Sequence, residues 1–343
     1  MRLIRFLNWP NYHGTLLLFI SLSLLTGCAS NRPEQQVLHF PDNLIQPYLT
    51  LEQVIGSDQE TPKGFFGRFL GRLVGPETKF ALNMPTDMVV DTLGRLLIVE
   101  SEAGFISTYV KGEDGWQVSQ RVSMPEIQHP TAIAAGPEYL YISDLMGGTI
   151  HVLDYHFNPI STIEHGDMMS PSGLTFNRAS NQLLVADPSA RRAFVFSSAG
   201  AVVAQIGQDG SILARLQSPL SITVDNRDGH IYILDGMARK VKEYSPDFQY
   251  LSSFGEYDQV PGSFAFPKGM ALATDGTLFV GDAAFGNIQM FDLTGALLFY
   301  FGETGKKRGQ FLMPRNLFMD QDQRLYVADP YNNRVQIFRY YAQ

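Results

Sequence analysis

The sequence predicts an all-β fold: a six-bladed β-propeller closed by an N-terminal outer strand, with one short amphipathic helix added. Three observations predict it. A degenerate unit recurs six times, marked by Pro85, Pro130, Pro171, Pro219, Pro267 and Pro314, which lie 45, 41, 48, 48 and 47 residues apart. The acid closing each unit's second apolar run keeps nearly the same period, at Glu100, Asp144, Asp187, Asp235, Asp282 and Asp329. Each unit also divides into four short runs punctuated by Gly, Asp and Asn, which are strand lengths and strand boundaries. A four-stranded sheet that cannot bury its own faces stacks against copies of itself, and six such sheets make a ring.

The last unit is the clearest: P-R-N-L-F-M-D-Q-D-Q-R-L-Y-V-A-D-P-Y-N-N-R-V-Q-I-F, from Pro314 to Phe338. The leading runs Met88–Val90, Ile222–Val224 and Met270–Leu272 hardly alternate, as befits strands buried on both faces. The third run of the last unit, Val335–Tyr340, has no outer strand after it. L-T-L-E-Q-V-I-G, Leu49–Gly56, reads like the outer strands at Tyr250–Gly255 and Leu298–Gly302. Supplying the missing strand from there closes the ring and removes two exposed sheet edges. Residues 49–343 are therefore read as the propeller, and residues 28–48 as a tether and lead-in.

The pattern P-x-G-(apolar)-D…G-x-L-Y-V-A-D-x-x-N-N-R resembles the NHL-repeat family of six-bladed propellers, over Pro85 to Phe338. The likeness is strongest in the last two units. The first departs with Glu100 in place of the Asp, and the second with Gly136-Pro137 in its turn. The resemblance implies an interaction platform, although a fold alone does not dictate an activity.

Residues 1–27 read as an export signal: Arg2 and Arg5 precede a short apolar run, Thr15 to Leu25. The ending L-T-G-C resembles the bacterial lipobox. That implies cleavage before Cys28 and diacylglycerol on its thiol, and Cys28 is the chain's one cysteine. Ala29, a non-acidic residue after the cysteine, implies by the same resemblance an outer-membrane lipoprotein facing the periplasm. Losing the two arginines takes the formal charge from -8 to -10. That acidity excludes nucleic acid as an expected partner, because phosphate neutralisation drives such binding.

Residues 57–84 interrupt the pattern. In T-P-K-G-F-F-G-R-F-L-G-R-L-V-G-P, residues Phe65, Phe66, Phe69, Leu70, Leu73 and Val74 share one helical face, with Lys63, Arg68 and Arg72 off it. A helix over 62–75 is expected. Its three glycines each cost up to about 1 kcal/mol in a helix interior, so it needs a supporting surface. Strand direction puts it on the rim that carries the prolines and acids, where it can act as a lid, touch the membrane or dock a partner.

The six acids resemble a ring of carboxylates, but their setting argues otherwise: each precedes a tight turn where a short carboxylate accepts backbone N–H groups. A structural role is expected, and no metal or other cofactor. The residues beside each proline differ between units, as scaffold positions would not: Thr86-Asp87, His129 and Thr131, Ser172, Leu220, Lys268 and Arg315-Asn316. Glu102, Met146, Arg191, Met237 and Phe285 follow the acids on the same rim. Candidate binding residues are Asp87, Glu102, His129, Arg191, Lys268, Arg315 and Asn316. Lys268 and Arg315 could jointly receive an anion, or pair with Asp87 or Glu102 as solvated rim charges.

No H-x-H, H-E-x-x-H, nucleophile elbow, Walker loop or dinucleotide fingerprint occurs. The expected function is therefore binding a protein, peptide or glycan partner rather than enzymatic. The competing reading is a metal-dependent lyase or lactonase working in the channel, which needs three converging ligands.

Overall fold

The computed structural model describes residues 37–42, 47–56, 81–113, 115–208 and 210–342. The expected signal, Cys28 and the 62–75 helix lie outside the described residues. Within the rest, helix is limited to a single 3-10 turn, Pro330–Asn332.

Six sheets are arrayed in sequence order. Strands β1 (His39–Phe40) and β2 (Leu49–Gly56) come first. Blade 1 holds β3 (Pro85–Val90), β4 (Leu96–Glu100), β5 (Phe105–Gly112) and β6 (Gly115–Ser123). Blade 2 holds β7 (Pro130–Ala135), β8 (Leu140–Asp144), β9 (Thr149–Leu153) and β10 (Pro159–Ile163). Blade 3 holds β11 (Gly173–Asn177), β12 (Gln182–Asp187), β13 (Arg192–Ser197) and β14 (Val202–Ile206). Blade 4 holds β15 (Pro219–Val224), β16 (Ile231–Asp235), β17 (Lys240–Tyr244) and β18 (Tyr250–Phe254). Blade 5 holds β19 (Pro267–Leu272), β20 (Leu278–Asp282), β21 (Asn287–Phe291) and β22 (Leu297–Phe301). Blade 6 combines β23 (Leu317–Met319), β24 (Arg324–Asp329) and β25 (Arg334–Tyr340) with β2 and β1, in the order β1-β2-β25-β24-β23.

The propeller exists because both faces of each blade are apolar. In β4, Leu96 and Ile98 join the cluster against blade 6, while Leu97 and Val99 join the cluster against blade 2. Alternate residues of one strand thus serve two interfaces. Six buried clusters result among the described residues, one per interface between neighbouring blades.

The closing strand lies where the sequence placed it. β2 pairs with β25 from Leu49↔Tyr340 to Gly56↔Arg334, with one residue inserted between Leu51 and Gln53. That bulge reverses which face each later side chain takes. Leu49 and Leu51 consequently enter the blade 5–6 core, whereas Ile55 enters the blade 6–1 core. The extra residue, Glu52, accepts from Arg324 and Arg339 at 2.8 and 3.0 Å. The Gln53 amide then clamps blade 1, donating to the Trp116 carbonyl and accepting its N–H, both at 2.9 Å. Trp116 itself packs in the blade 6–1 core and donates its indole N–H to the Tyr326 hydroxyl. The lead-in adds an unanticipated element: β1 forms a fifth strand, with Phe40 against Phe301 and Phe338.

The two periodic landmarks share a period because they are partners across the inner hairpin. Pro85↔Glu100, Pro130↔Asp144, Pro219↔Asp235 and Pro267↔Asp282 are paired residues. Each acid is buried and staples the loop before its proline to the turn after itself. Asp282 accepts N–H groups of Ala265, Phe266, Ala284 and Phe285. Asp144 does so from Gln128, His129, Met146 and Gly147, and Asp187 and Asp235 each from three such groups. Asp329 takes Leu312 N–H, the Asn332 amide and Arg334. Glu100 reaches further: it accepts Asn83 N–H and binds Arg121 through both oxygens at 3.0 and 2.8 Å.

Candidate functional site at the proline rim

The residue after four of the six prolines is special for a backbone reason. The inner hairpin register shifts just past Pro85, Pro130, Pro219 and Pro267. A bulge there frees the following side chain from the alternation that commits its neighbours to an inter-blade core. Those side chains converge. Thr86, Thr131, Ser172, Leu220, Lys268 and Arg315, with Asn316, line one cavity of about 340 Å³ at the proline end of the channel. Met84, Phe266, Ala283, Met313, Pro330 and Tyr331 complete it.

The wall is chemically divided. On blades 1 to 3 stand hydroxyls whose protons are committed: Thr131 donates to the His129 carbonyl and Ser172 to the Leu220 carbonyl. Their oxygens remain as acceptors. On blades 5 and 6 stand Lys268 and Arg315. Lys268 Nζ lies 3.6 Å from the centroid of the Phe266 ring, a cation–π contact. Burial lowers the Lys268 pKa below its ordinary value, and the Arg315 charge lowers it further. Burial also lowers that of Arg315, with Asp87 acting in the opposite direction. Neither cation forms an ion pair with a carboxylate among the described residues.

The other candidates separate by position. Asp87 does not face the rim cavity; it is buried one residue deeper, lining a wider cavity of about 640 Å³ towards the other mouth. The bulge at Thr86 explains this, since it turns Thr86 to the mouth and Asp87 along the channel wall. Its carboxylate ties blade 1 to blade 2 by accepting Ile133 N–H at 2.9 Å. It also accepts Met88 N–H and is hydrogen-bonded by the Asn316 side chain. Asn316 lines both cavities. Glu102 and Arg191 are exposed in the turns after the acids, and His129 is half-buried; none of the three lines the cavity. The lining residues missing from the sequence reading are those before the prolines, Met84, Phe266 and Met313, and those after the acids, Ala283, Pro330 and Tyr331. Their signal was positional rather than chemical, because all flank the same two landmarks.

Burial pushes the Asp87 carboxyl up to about 7, against the opposing pull of Ile133 and Met88 N–H, Asn316 and Arg315. With the folded value above the unfolded one, the folded state binds more protons between pH ~4 and ~7, so this group's contribution to stability is lost as pH rises through that window. Asp87→Asn should flatten that component, on the order of 4 kcal/mol at most. Urea unfolding of both proteins at pH 4.5 and pH 8 measures it. An unchanged pH dependence in the variant contradicts it.

Among the described residues, no group of three or more His, Cys, Asp or Glu side chains is placed to hold a metal ion.

A family profile described as a 6-bladed beta-propeller matches residues 147–261. The human E3 ubiquitin-protein ligase NHLRC1 is 27% identical over 129 residues, 37% of this chain and 31% of that protein. Its Rattus norvegicus counterpart is 26% identical over 165 residues, 45% of this chain and 40% of that protein. The chain thus spans well under half the length of the curated relatives it matches. A streptogramin B lyase structure superposes with a TM-score of 0.54 at 15% identity, covering 74% of this chain and 78% of that one. A Bacteroides thetaiotaomicron protein of unknown function gives a TM-score of 0.59 at 13% identity, covering 75% and 70%. At such identities these two structures bear on the fold alone. Repeats, closing strand and family profile agree: the chain is a six-bladed β-propeller, similar over part of its length to the NHLRC1 proteins.

Proposed function

We propose that this protein is a binding scaffold of the cell envelope, held by lipid on Cys28 at the outer membrane and facing the periplasm. Its proline rim receives a protein, peptide or glycan partner. One observation carries the reading. Two cations from neighbouring blades, Lys268 and Arg315, share a concave site in which neither has a direct ion pair among the described residues, Asp87 acting on Arg315 only at longer range. A like-charge pair held partly out of water is costly on its own and favourable once an anionic group arrives. The NHL-repeat resemblance supports an interaction platform, while the ligase activity named for the relatives belongs to proteins this chain matches only in part. The lyase or lactonase reading finds no such support, because its three converging ligands have no counterpart among the described residues.

Recovery of partners from solubilised membranes tests the rim. Lys268→Glu/Arg315→Glu should lose at least tenfold of what the unaltered lipoprotein retains, and equal recovery by both contradicts the assignment. The anchor is tested separately. Cys28→Ser should move the protein from the detergent phase to the aqueous phase, since stable anchoring needs about two acyl chains and diacylglycerol supplies both. Partition unchanged by the substitution contradicts lipidation.

A further inference from the structure

We infer that the rim cavity takes the free C-terminal carboxylate of a peptide ending in an apolar residue. The inference rests on the reading of this cavity as the binding site, and it names the group bound. Three features of the cavity wall each match one part of a terminal residue. Lys268 and Arg315 supply two positive charges to one side, and a guanidinium recognises a carboxylate through paired N–H donors. The opposite side offers the hydroxyl oxygens of Thr131 and Ser172, whose own protons are already donated to carbonyls. They can accept but not give, so they suit a peptide N–H a few bonds from the carboxylate.

Beside Thr86 and Asn316, the rest of the lining is largely apolar, including Leu220, Phe266 and Tyr331. That surface fits a hydrocarbon side chain and leaves a polyhydroxylated sugar acid with unmet hydroxyls, which is costly once they are desolvated. A volume of about 340 Å³ is at the lower end for ligand sites, suited to a chain end rather than to a strand passing through. The rim outside continues the same character. Met146, Met169 and Met237 are exposed in its loops, and flexible thioethers accommodate varied neighbouring side chains.

The test uses the folded propeller and two peptide libraries, hexamers with the last three positions randomised. One library ends in the free acid and the other in the amide. Retention of free-acid members with apolar last residues, and at least tenfold weaker retention of their amides, is expected. Lys268→Gln and Arg315→Gln should each weaken the free-acid peptides about tenfold and narrow the gap between acid and amide. Because the acid–amide contrast is read on the unaltered protein, it does not depend on a variant folding. Equal retention of both libraries, retention of neither, or binding of an oligogalacturonate probe in place of the free-acid peptides overturns the inference. If the Lys268→Glu/Arg315→Glu protein also fails to recover a membrane partner, the rim assignment survives those results and only the identity of the bound group falls. If the double variant recovers partners normally, both fall.

Discussion

A chain shortened to begin after Gly56 is expected to lose its cooperative fold. β2 contributes Leu49, Leu51 and Ile55 to two different inter-blade cores, all of them buried. Removing one such side chain to Ala costs about 2–5 kcal/mol, so three together reach the whole stability of a typical domain, about 5–15 kcal/mol. The loss goes beyond apolar area. Without Glu52, Arg324 and Arg339 lose a shared carboxylate, and without Gln53 the tie to the Trp116 backbone disappears. The outer edge of β25 would then present unpaired N–H and C=O groups to other chains, an invitation to aggregation. Circular dichroism and thermal melting of the shortened protein provide the measurement. A sharp transition close to that of the unshortened propeller would contradict the prediction. Adding a synthetic peptide of residues 47–56 should restore part of the transition if closure alone is missing.

Asp282→Ala is expected to be among the most damaging single substitutions at the repeat acids, at roughly 3–5 kcal/mol. Its carboxylate is fully buried and accepts four backbone N–H groups, two before the inner strand of blade 5 and two after its neighbour. Alanine leaves all four without a partner in a place water reaches poorly. Asp282→Asn keeps one acceptor oxygen and should cost about half as much. Urea midpoints at constant m-value give both numbers, and a loss under 1 kcal/mol for Asp282→Ala would refute the staple. Phe266 and Ala283, which line the rim cavity, flank these same N–H groups, so loosening the staple should also weaken binding there.

Much of this was legible because a repeat reports on itself. Six prolines and six acids at one period implied six blades, and the register pairs four of those prolines directly with their acids. The missing outer strand could be found because Leu49–Gly56 ends an apolar run in glycine, as do the outer strands at Tyr250–Gly255 and Leu298–Gly302. The structural role of the acids followed from the turns they precede. Other features were not legible, for reasons that are physical. A bulge is a property of pairing between two strands, so neither the reversal at Glu52 nor the turning of Asp87 into the channel has a signature in one strand alone. β1 spans only His39–Phe40, too short to show any periodicity. Glu102, His129 and Arg191 stand close in sequence to the cavity residues, but the side chain freed by the bulge is the one after each proline. Met84, Phe266 and Met313 carry no charge or motif to mark them, and only convergence from separate blades makes them a lining.

The bulge past Pro85, Pro130, Pro219 and Pro267 has a consequence for how such a molecule can change over time. In each of those four blades it sets aside one position whose side chain is released from the strand's core alternation, while the proline, the acid and the strands around it stay as they are. A mutation there alters what the mouth will hold while leaving the inter-blade cores in place, although a hydroxyl such as Thr86 also ties its blade to the next through the Thr131 carbonyl. Lineages descended from a common propeller can therefore diverge in ligand choice by small steps, keeping the same architecture throughout.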